Sequence, residues 1–512
     1  MKKSLVTSFM IITVFNALDR TLGFFFRIYL SREMGAQNMG VYQVASSVYL
    51  ALLTFITSGV PLVVSKRVAK ADRRGERKKA AAVTSAALFI GLITGFLLAI
   101  SPFVFFPLFR ASIGFEASVS LCLLAPAILF SAVYSALRGN LWGKQKFLIV
   151  AIVEVIEQVA RIVACVVMFL CGTNKLYAAS LSLTVGCFIS AFATAVFFFA
   201  GKGRLASPKG EIKPLFSSEM PITLSRAATC AASSVLSVAA PFLFTLSGFG
   251  SDTAYEMFGA ASGMALPLLF VPLTLTGSLA FVLVPSVGAS ADCGRYECVN
   301  RQIISSVNFA TVVACLFIPL FAACGRQIGV IVYDNVTSGV FLSKAAWILL
   351  PLSIEAITSS LMNSLDLEMR SFANSMIGYL VQAVIYAVFA KSFTLDVFAL
   401  GIGASLVVSS ALHLYYTAKK TSLNLFRLKD SAINALLVFP ALSLCRSLSG
   451  ILSFMPDLIA VILSGGVAMA AYGALSLVFG GVEAYPFLKV GKRAKSKTSP
   501  RVEAKKTDRA KA

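Results

Sequence analysis

Long apolar runs separated by short polar segments, most of them basic, set the pattern of this 512-residue chain. A bilayer crossing takes about 20 apolar residues and must satisfy its own backbone hydrogen bonds, so runs of this length predict helices and not open strands. Fourteen are legible, over residues 5–30, 40–65, 80–108, 117–137, 148–170, 177–200, 218–246, 255–285, 303–323, 344–365, 373–390, 395–417, 431–452 and 458–482. The fold class that follows is an all-α polytopic membrane protein with 14 transmembrane helices.

The runs also echo one another. Pro126-Ala127-Ile128-Leu129 lies over Pro351-Leu352-Ser353-Ile354 at an offset of 225, which brings Ser135 onto Ser360 and Phe147 onto Phe372. An offset of 224 brings Val60-Pro61 onto Val284-Pro285. Six spans separate the echoes, which predicts two six-helix lobes in a pseudo-two-fold arrangement and then two extra helices. The expected divisions are a first lobe over 1–200, a linker over 201–217, a second lobe over 218–417, helices thirteen and fourteen over 418–483, and a disordered basic tail over 484–512. Parallel repeats about the membrane normal are a transporter architecture with the substrate site between lobes. A chance match between apolar segments is the competing reading.

Composition removes the soluble alternative. Hydrophobic residues make up 58%, charged residues 13%, and mean hydropathy is +0.84, whereas a soluble globule carries about 25% charge. The net charge of +22 invites a nucleic-acid reading until the basic residues are placed. Of 45 Lys and Arg, 34 fall in the start, the loops 66–79, 138–147, 201–216, 286–302, 366–371 and 418–430, and the tail. Seven fall in the opposite loops, and four (Arg20, Arg27, Arg161 and Arg226) lie within spans. That asymmetry predicts a cytoplasmic-membrane protein with both termini inside, whose partners are membrane lipids and not nucleic acid. Met1-Lys2-Lys3 opens an apolar run that continues past Asp19 without a small-residue cleavage site, so it reads as an uncleaved first span.

Most of the ten cysteines lie in spans, where cysteine behaves as a small apolar residue. Cys293 and Cys298 share a loop but lack the four-ligand set of a zinc site, so no metal or cofactor is expected.

The intramembrane polar residues hold the candidate chemistry. Arg20 and Arg27 are seven residues apart and share a helix face. Each costs roughly 2.5 to 3.5 kcal/mol near mid-bilayer, so both should face a protein interior or a wet cavity. Adjacent Asp19 points elsewhere, leaving either acids on other helices or an anionic ligand, whose phosphate oxygens suit the guanidinium fork. Glu154, Glu157, Gln158 and Arg161 recur on one face of span five, with Glu157 and Arg161 as an i,i+4 pair. They read either as a self-neutralising structural pair or as a coupling or gating group for a cation, Na+ or H+. Glu355 in span ten is an isolated carboxyl among apolar and small residues, read either as simply protonated or as a coupling or gating group. Glu219, near the basic end of span seven, should snorkel to water, and His413 reads as an interfacial residue.

Several stretches carry a family resemblance. Asp19-Arg20-Thr21-Leu22-Gly23-Phe24, Arg27-Ile28-Tyr29-Leu30-Ser31-Arg32-Glu33-Met34-Gly35-Ala36 and Gly40-Val41-Tyr42-Gln43 resemble the opening of the stage V sporulation protein B family. That family belongs to the multidrug/oligosaccharidyl-lipid/polysaccharide (MOP) exporter superfamily and is related to MurJ-type lipid II flippases. Thr57-Ser58-Gly59-Val60-Pro61-Leu62, Leu137-Arg138-Gly139-Asn140, Pro221-Ile222-Thr223-Leu224-Ser225-Arg226, Gly263-Met264-Ala265-Leu266-Pro267-Leu268 and Asn374-Ser375-Met376-Ile377-Gly378 follow in order.

The resemblance implies a non-enzymatic, alternating-access flippase for an undecaprenyl-pyrophosphate-linked saccharide of peptidoglycan or polysaccharide synthesis, with a sporulation role among its family settings. Arg20 and Arg27 match first-helix arginines of a cationic cavity, although one extra residue between them turns the second by about 100°. Arg226 is expected to line that cavity from the second lobe, with Glu154, Glu157, Arg161 and Glu355 in coupling or gating roles. A multidrug/cation antiporter of the same superfamily remains an alternative, as does a membrane glycosyltransferase or ligase. The buried arginines argue against the first, and the short outer loops without paired carboxylates argue against the second.

Overall fold

The computed structural model describes residues 2–479. The basic tail expected over 484–512 lies outside the described residues. Among them every regular element is helical. The chain begins with α1 (Lys2–Thr57), α2 (Val60–Arg73), α3 (Arg77–Val104), α4 (Phe106–Ile113), α5 (Phe115–Gly143), α6 (Phe147–Leu170) and α7 (Lys175–Ala200). It continues with α8 (Ile212–Leu246), α9 (Ser251–Phe258), a π-helical stretch (Gly259–Ala265), α10 (Leu266–Leu269), α11 (Leu273–Asp292), α12 (Tyr296–Tyr333) and α13 (Val336–Ala345). Then come α14 (Leu349–Ser364), α15 (Glu368–Val388), α16 (Leu395–Thr421), α17 (Lys429–Leu436), α18 (Val438–Ile451) and α19 (Asp457–Phe479).

Among the described residues eleven helices are long and apolar enough to cross a membrane, or twelve when the pair bent by 48° around Leu269–Leu273 is one span. That criterion does not establish fourteen. It differs from the sequence reading at α6, where the three charges Glu154, Glu157 and Arg161 exceed the two that the criterion allows, and at α1, where two expected spans meeting at Gly35 are counted as one. Large side chains such as Phe96, Leu97, Val163 and Val388 stay exposed around the bundle. On a soluble protein they would make an oversized apolar patch; on this multi-pass membrane protein they face lipid.

Inside α1 only Gly35 leaves helical geometry, with φ 75° and ψ 170°, a conformation that favours glycine. The chain reverses there. Arg27 Nη2 donates to Gln43 Oε1 at 2.9 Å, although sixteen residues of straight helix would separate them by about 24 Å. Residues 2–34 and 36–57 are therefore two antiparallel helices joined without a loop, where the sequence suggested a loop over 31–39.

Packing sorts the helices into two sets. In the first, α5 packs on α1, α2, α3 and α7, and α6 on α1 and α7. Small residues allow these approaches: a β-carbon on Gly139 would lie 2.8 Å from Val64 Cβ, and one on Gly143 2.8 Å from Val68 Cβ, the small-residue packing usual between membrane helices. In the second, α12 packs on α11, α13 and α14, and α16 on α14 and α15. Helices α17, α18 and α19 lie against α12. The two sets meet mainly through α1, which packs on α8, α9 and the π-helical stretch. Helix α8 starts at Ile212, ahead of the expected limit of 218.

Candidate functional site

The seam between the helix sets is built on glycine. A β-carbon on Gly40 would lie 2.0 Å from the Tyr255 carbonyl oxygen, and one on Gly259 would lie 1.9 Å from that of Ala36. Backbone therefore rests on backbone where the second half of α1 meets the π-helical stretch. A π turn is rare and frequently accompanies a functional site; here its Ser262 and Gly263 carbonyls accept hydrogen bonds from Arg27. Nε donates to Gly263 O at 3.0 Å and Nη2 to Ser262 O at 3.4 Å, besides the bond to Gln43. Arg32 Nε donates to Val332 O at 2.7 Å, and its Nη2 to Ile331 O, at the end of α12. Gln37 Nε2 adds a bond to Asp252 Oδ1 at 2.9 Å. Arg20 differs: it is exposed and makes no hydrogen bond or ion pair among the described residues. Two arginines that looked alike in sequence hold different positions, one committed to protein acceptors across the seam and one open.

The polar face of α6 turns toward α1, with Gln158 Nε2 3.7 Å from where a β-carbon on Gly23 would lie. The expected Glu157–Arg161 pair is not among the ion pairs of the described residues. Arg161 reaches both halves of α1 instead, donating from Nη2 to the Tyr42 hydroxyl of the second at 3.0 Å and stacking over Phe26 of the first at 5.3 Å. Glu157 turns to α7, where Cys187 Sγ approaches Oε1 at 3.9 Å. Glu154 takes its partners from α5: Arg138 Nη1 at 3.4 Å and the Tyr134 hydroxyl, which donates at 3.1 Å. Long side chains on a packed helix reach neighbouring helices as readily as their own next turn, so i,i+4 spacing alone did not name these partners.

At the basic end, α1 and α2 are separated by a break at Ser58-Gly59. Arg226, exposed on α8, donates from Nη1 to the Ser58 carbonyl at 3.2 Å. Two turns away on α8, Glu219 is only 5% exposed, and its Oε2 is buried without a hydrogen-bond partner. This corrects the snorkelling expectation: α1 and α2 cover the position that was to be wet. Arg67 on α2 closes the same end, pairing with Glu211 at 3.0 Å and donating to Pro214 O at 2.7 Å.

In the second set Glu355 is half-buried, and its carboxylate makes no hydrogen bond or ion pair among the described residues. His413 is 0% exposed, with Nδ1 3.5 Å from Thr358 Oγ1 and Nε2 3.3 Å from the Ser371 carbonyl. It is a core residue, its ring enclosed between α14, α15 and α16.

The structure thus gathers Glu154, Glu157 and Arg161 with the first half of α1, places Arg226 at the basic end of the seam, and leaves Glu355 apart. Sequence reasoning missed Arg138, which it had counted as a loop charge. Gly139 and Gly143, at small-residue helix-packing spacing, are the signal that α5 runs past it.

The family model for polysaccharide biosynthesis proteins matches residues 5–285, more than half of the chain. The chain belongs to that family. Among curated relatives of this family member, stage V sporulation protein B of Bacillus subtilis (strain 168) is 25% identical over 502 residues, covering 93% of this chain and 96% of the relative. Lipid II flippase MurJ of the same organism is 23% identical over 339 residues, covering 59% of this chain and 61% of the relative. A solved structure of lipid II flippase MurJ in an inward closed conformation superposes with a TM-score of 0.68 at 13% identity, covering 92% of this chain and 99% of that one. An inward-facing multidrug resistance MATE family transporter of the MOP superfamily gives 0.67 at 15% identity, covering 79% and 94%. The fold is therefore that shared by MurJ and MATE proteins, and the family resemblance drawn from the motifs holds.

Proposed function

We propose that this family member is an alternating-access transporter that moves an undecaprenyl-pyrophosphate-linked saccharide from the inner to the outer leaflet of the cytoplasmic membrane, with both chain termini inside. The observation that carries the reading is the open guanidinium of Arg20 on the helix that joins the two sets. On a membrane-spanning helix, an arginine whose guanidinium has no acceptor among the described residues is a ready receptor for an oxyanion. Arg20 and Arg226 hold the pyrophosphate, while Arg27 ties the seam until the lobes part. The kinship with stage V sporulation protein B and with a lipid II flippase supports a lipid-linked glycan as cargo.

Glu157 is the favoured coupling group in the first lobe, since Glu154 is already paired with Arg138; Glu355 is its counterpart in the second. The MATE likeness keeps multidrug/cation antiport as the rival, but arginines at the seam oppose a cationic cargo. The test is flipping of fluorescent lipid II in proteoliposomes. Arg20→Ala together with Arg226→Ala should abolish it at normal protein yield; unchanged flipping removes the assignment, and ethidium efflux without lipid transport favours the rival.

A further inference from the structure

Tyr134, Arg138 and Trp142 fall at i, i+4 and i+8 and form one stripe along α5. The packed faces of α5 lie elsewhere: Gly139 and Gly143 meet α2, and Asn140 Nδ2 donates to Thr84 Oγ1 of α3 at 2.7 Å. The stripe meets α6 at Glu154. Arg138 carries its guanidinium carbon 4.2 Å from the Trp142 ring centroid and 5.6 Å from that of Tyr134, so stacking fixes the plane of the fork. Its contact with Glu154 is 3.4 Å, longer than the roughly 2.7–2.9 Å of a strong charge-assisted bond. Glu154 does not depend on Arg138 alone, because the Tyr134 hydroxyl also donates to it.

We propose that Arg138, stacked on Trp142, is a binding site for a phosphate or pyrophosphate oxyanion, for which Glu154 is the competing internal anion. The proposal rests on the function proposed above, in which the cargo carries a pyrophosphate. The oxyanion takes Nη1 from Glu154 and bonds Nη2 as well, the end-on fork of the guanidinium, a two-point contact that the carboxylate does not make from α6. Glu154 keeps the Tyr134 hydroxyl as its donor.

The chain has two tryptophans, Trp142 and Trp347, so a Trp347→Phe background leaves Trp142 as a reporter inside the site. The purified full chain is titrated with inorganic pyrophosphate and with a short polyprenyl pyrophosphate, following Trp142 emission. A saturable change with either probe is expected. Arg138→Ala should weaken binding by more than about tenfold, through loss of charge-assisted bonds, and Arg138→Lys, which keeps the charge but not the fork, by less. Glu154→Gln should tighten binding roughly two- to fivefold, the size of a half-exposed ion pair removed from competition.

Opposite signs for the two partners separate a ligand site from a structural ion pair. If Glu154→Gln weakens binding as Arg138→Ala does, or if neither probe gives a saturable change, the proposal is overturned. The titration reads binding alone, so its failure leaves the flipping assay standing. Failed flipping with an intact titration removes the transport reading and keeps the site.

Discussion

Replacing Arg27 by alanine should loosen the seam, whereas the same change at Arg20 should not. Arg27 makes one bond of ordinary length to the second helix set, Nε to Gly263 O at 3.0 Å, and a longer one to Ser262 O at 3.4 Å. A hydrogen bond from a charged donor contributes about 1.5–3 kcal/mol in general, while side-chain bonds inside membranes average about 0.6 and reach about 1.7. The ranges overlap near about 1.5 kcal/mol, which corresponds to roughly tenfold in the opening equilibrium of the seam. Hydrogen–deuterium exchange of the peptide covering 254–270, measured in detergent or nanodiscs, reads that opening directly. Exchange there should rise about tenfold in Arg27→Ala and stay within about threefold of wild type in Arg20→Ala. Equal effects of the two substitutions, or none from either, would refute the division of labour between the arginines.

Gly259→Ala should lower the thermal midpoint, because its β-carbon would sit 1.9 Å from the Ala36 carbonyl oxygen and overpacking costs about 1–3 kcal/mol or more. Gly277→Ala, with no atom within 4 Å of the added carbon, should hold or raise the midpoint as helix propensity improves. Glu157→Gln should remove any dependence of flipping on an imposed Na+ or H+ gradient; a dependence that survives in this variant assigns coupling elsewhere. His413→Ala should destabilise by about 2–4 kcal/mol through the cavity it leaves, yet leave the pH profile of flipping between about 5 and 8 unchanged, since its ring is enclosed in protein.

The hydropathy pattern located the helices because lipid exposure is a property of each segment on its own. It could not show that residues 31–39 hold a one-residue reversal, because Gly35 is a single glycine among residues that suit either a helix or a loop. The charged face of α6 was equally legible as a face. Its partners were not: Arg138, Tyr42 and Cys187 come from three other helices, and only packing brings them within reach. The stretch Gly259-Ala260-Ala261-Ser262-Gly263-Met264-Ala265 reads as ordinary helix; its π geometry accompanies the close approach of Gly40, which no local pattern announces. The enclosure of His413 was not legible either, because Thr358 and Ser371, which face its ring, come from α14 and α15.

The loopless reversal at Gly35 bears on how the nascent chain enters the bilayer. With a single residue between them, residues 2–34 and 36–57 should partition as one helical hairpin that carries its polar tip, Arg32-Glu33 and Gln37-Asn38, across together. Within that hairpin Gln43 already meets Arg27 at 2.9 Å, so part of the roughly 2.5–3.5 kcal/mol insertion penalty of a central arginine is relieved inside the translocation machinery, before any helix of the second set has been synthesised. The same bond that the mature protein uses beside its seam therefore acts first as a chaperone contact built into the opening of the chain.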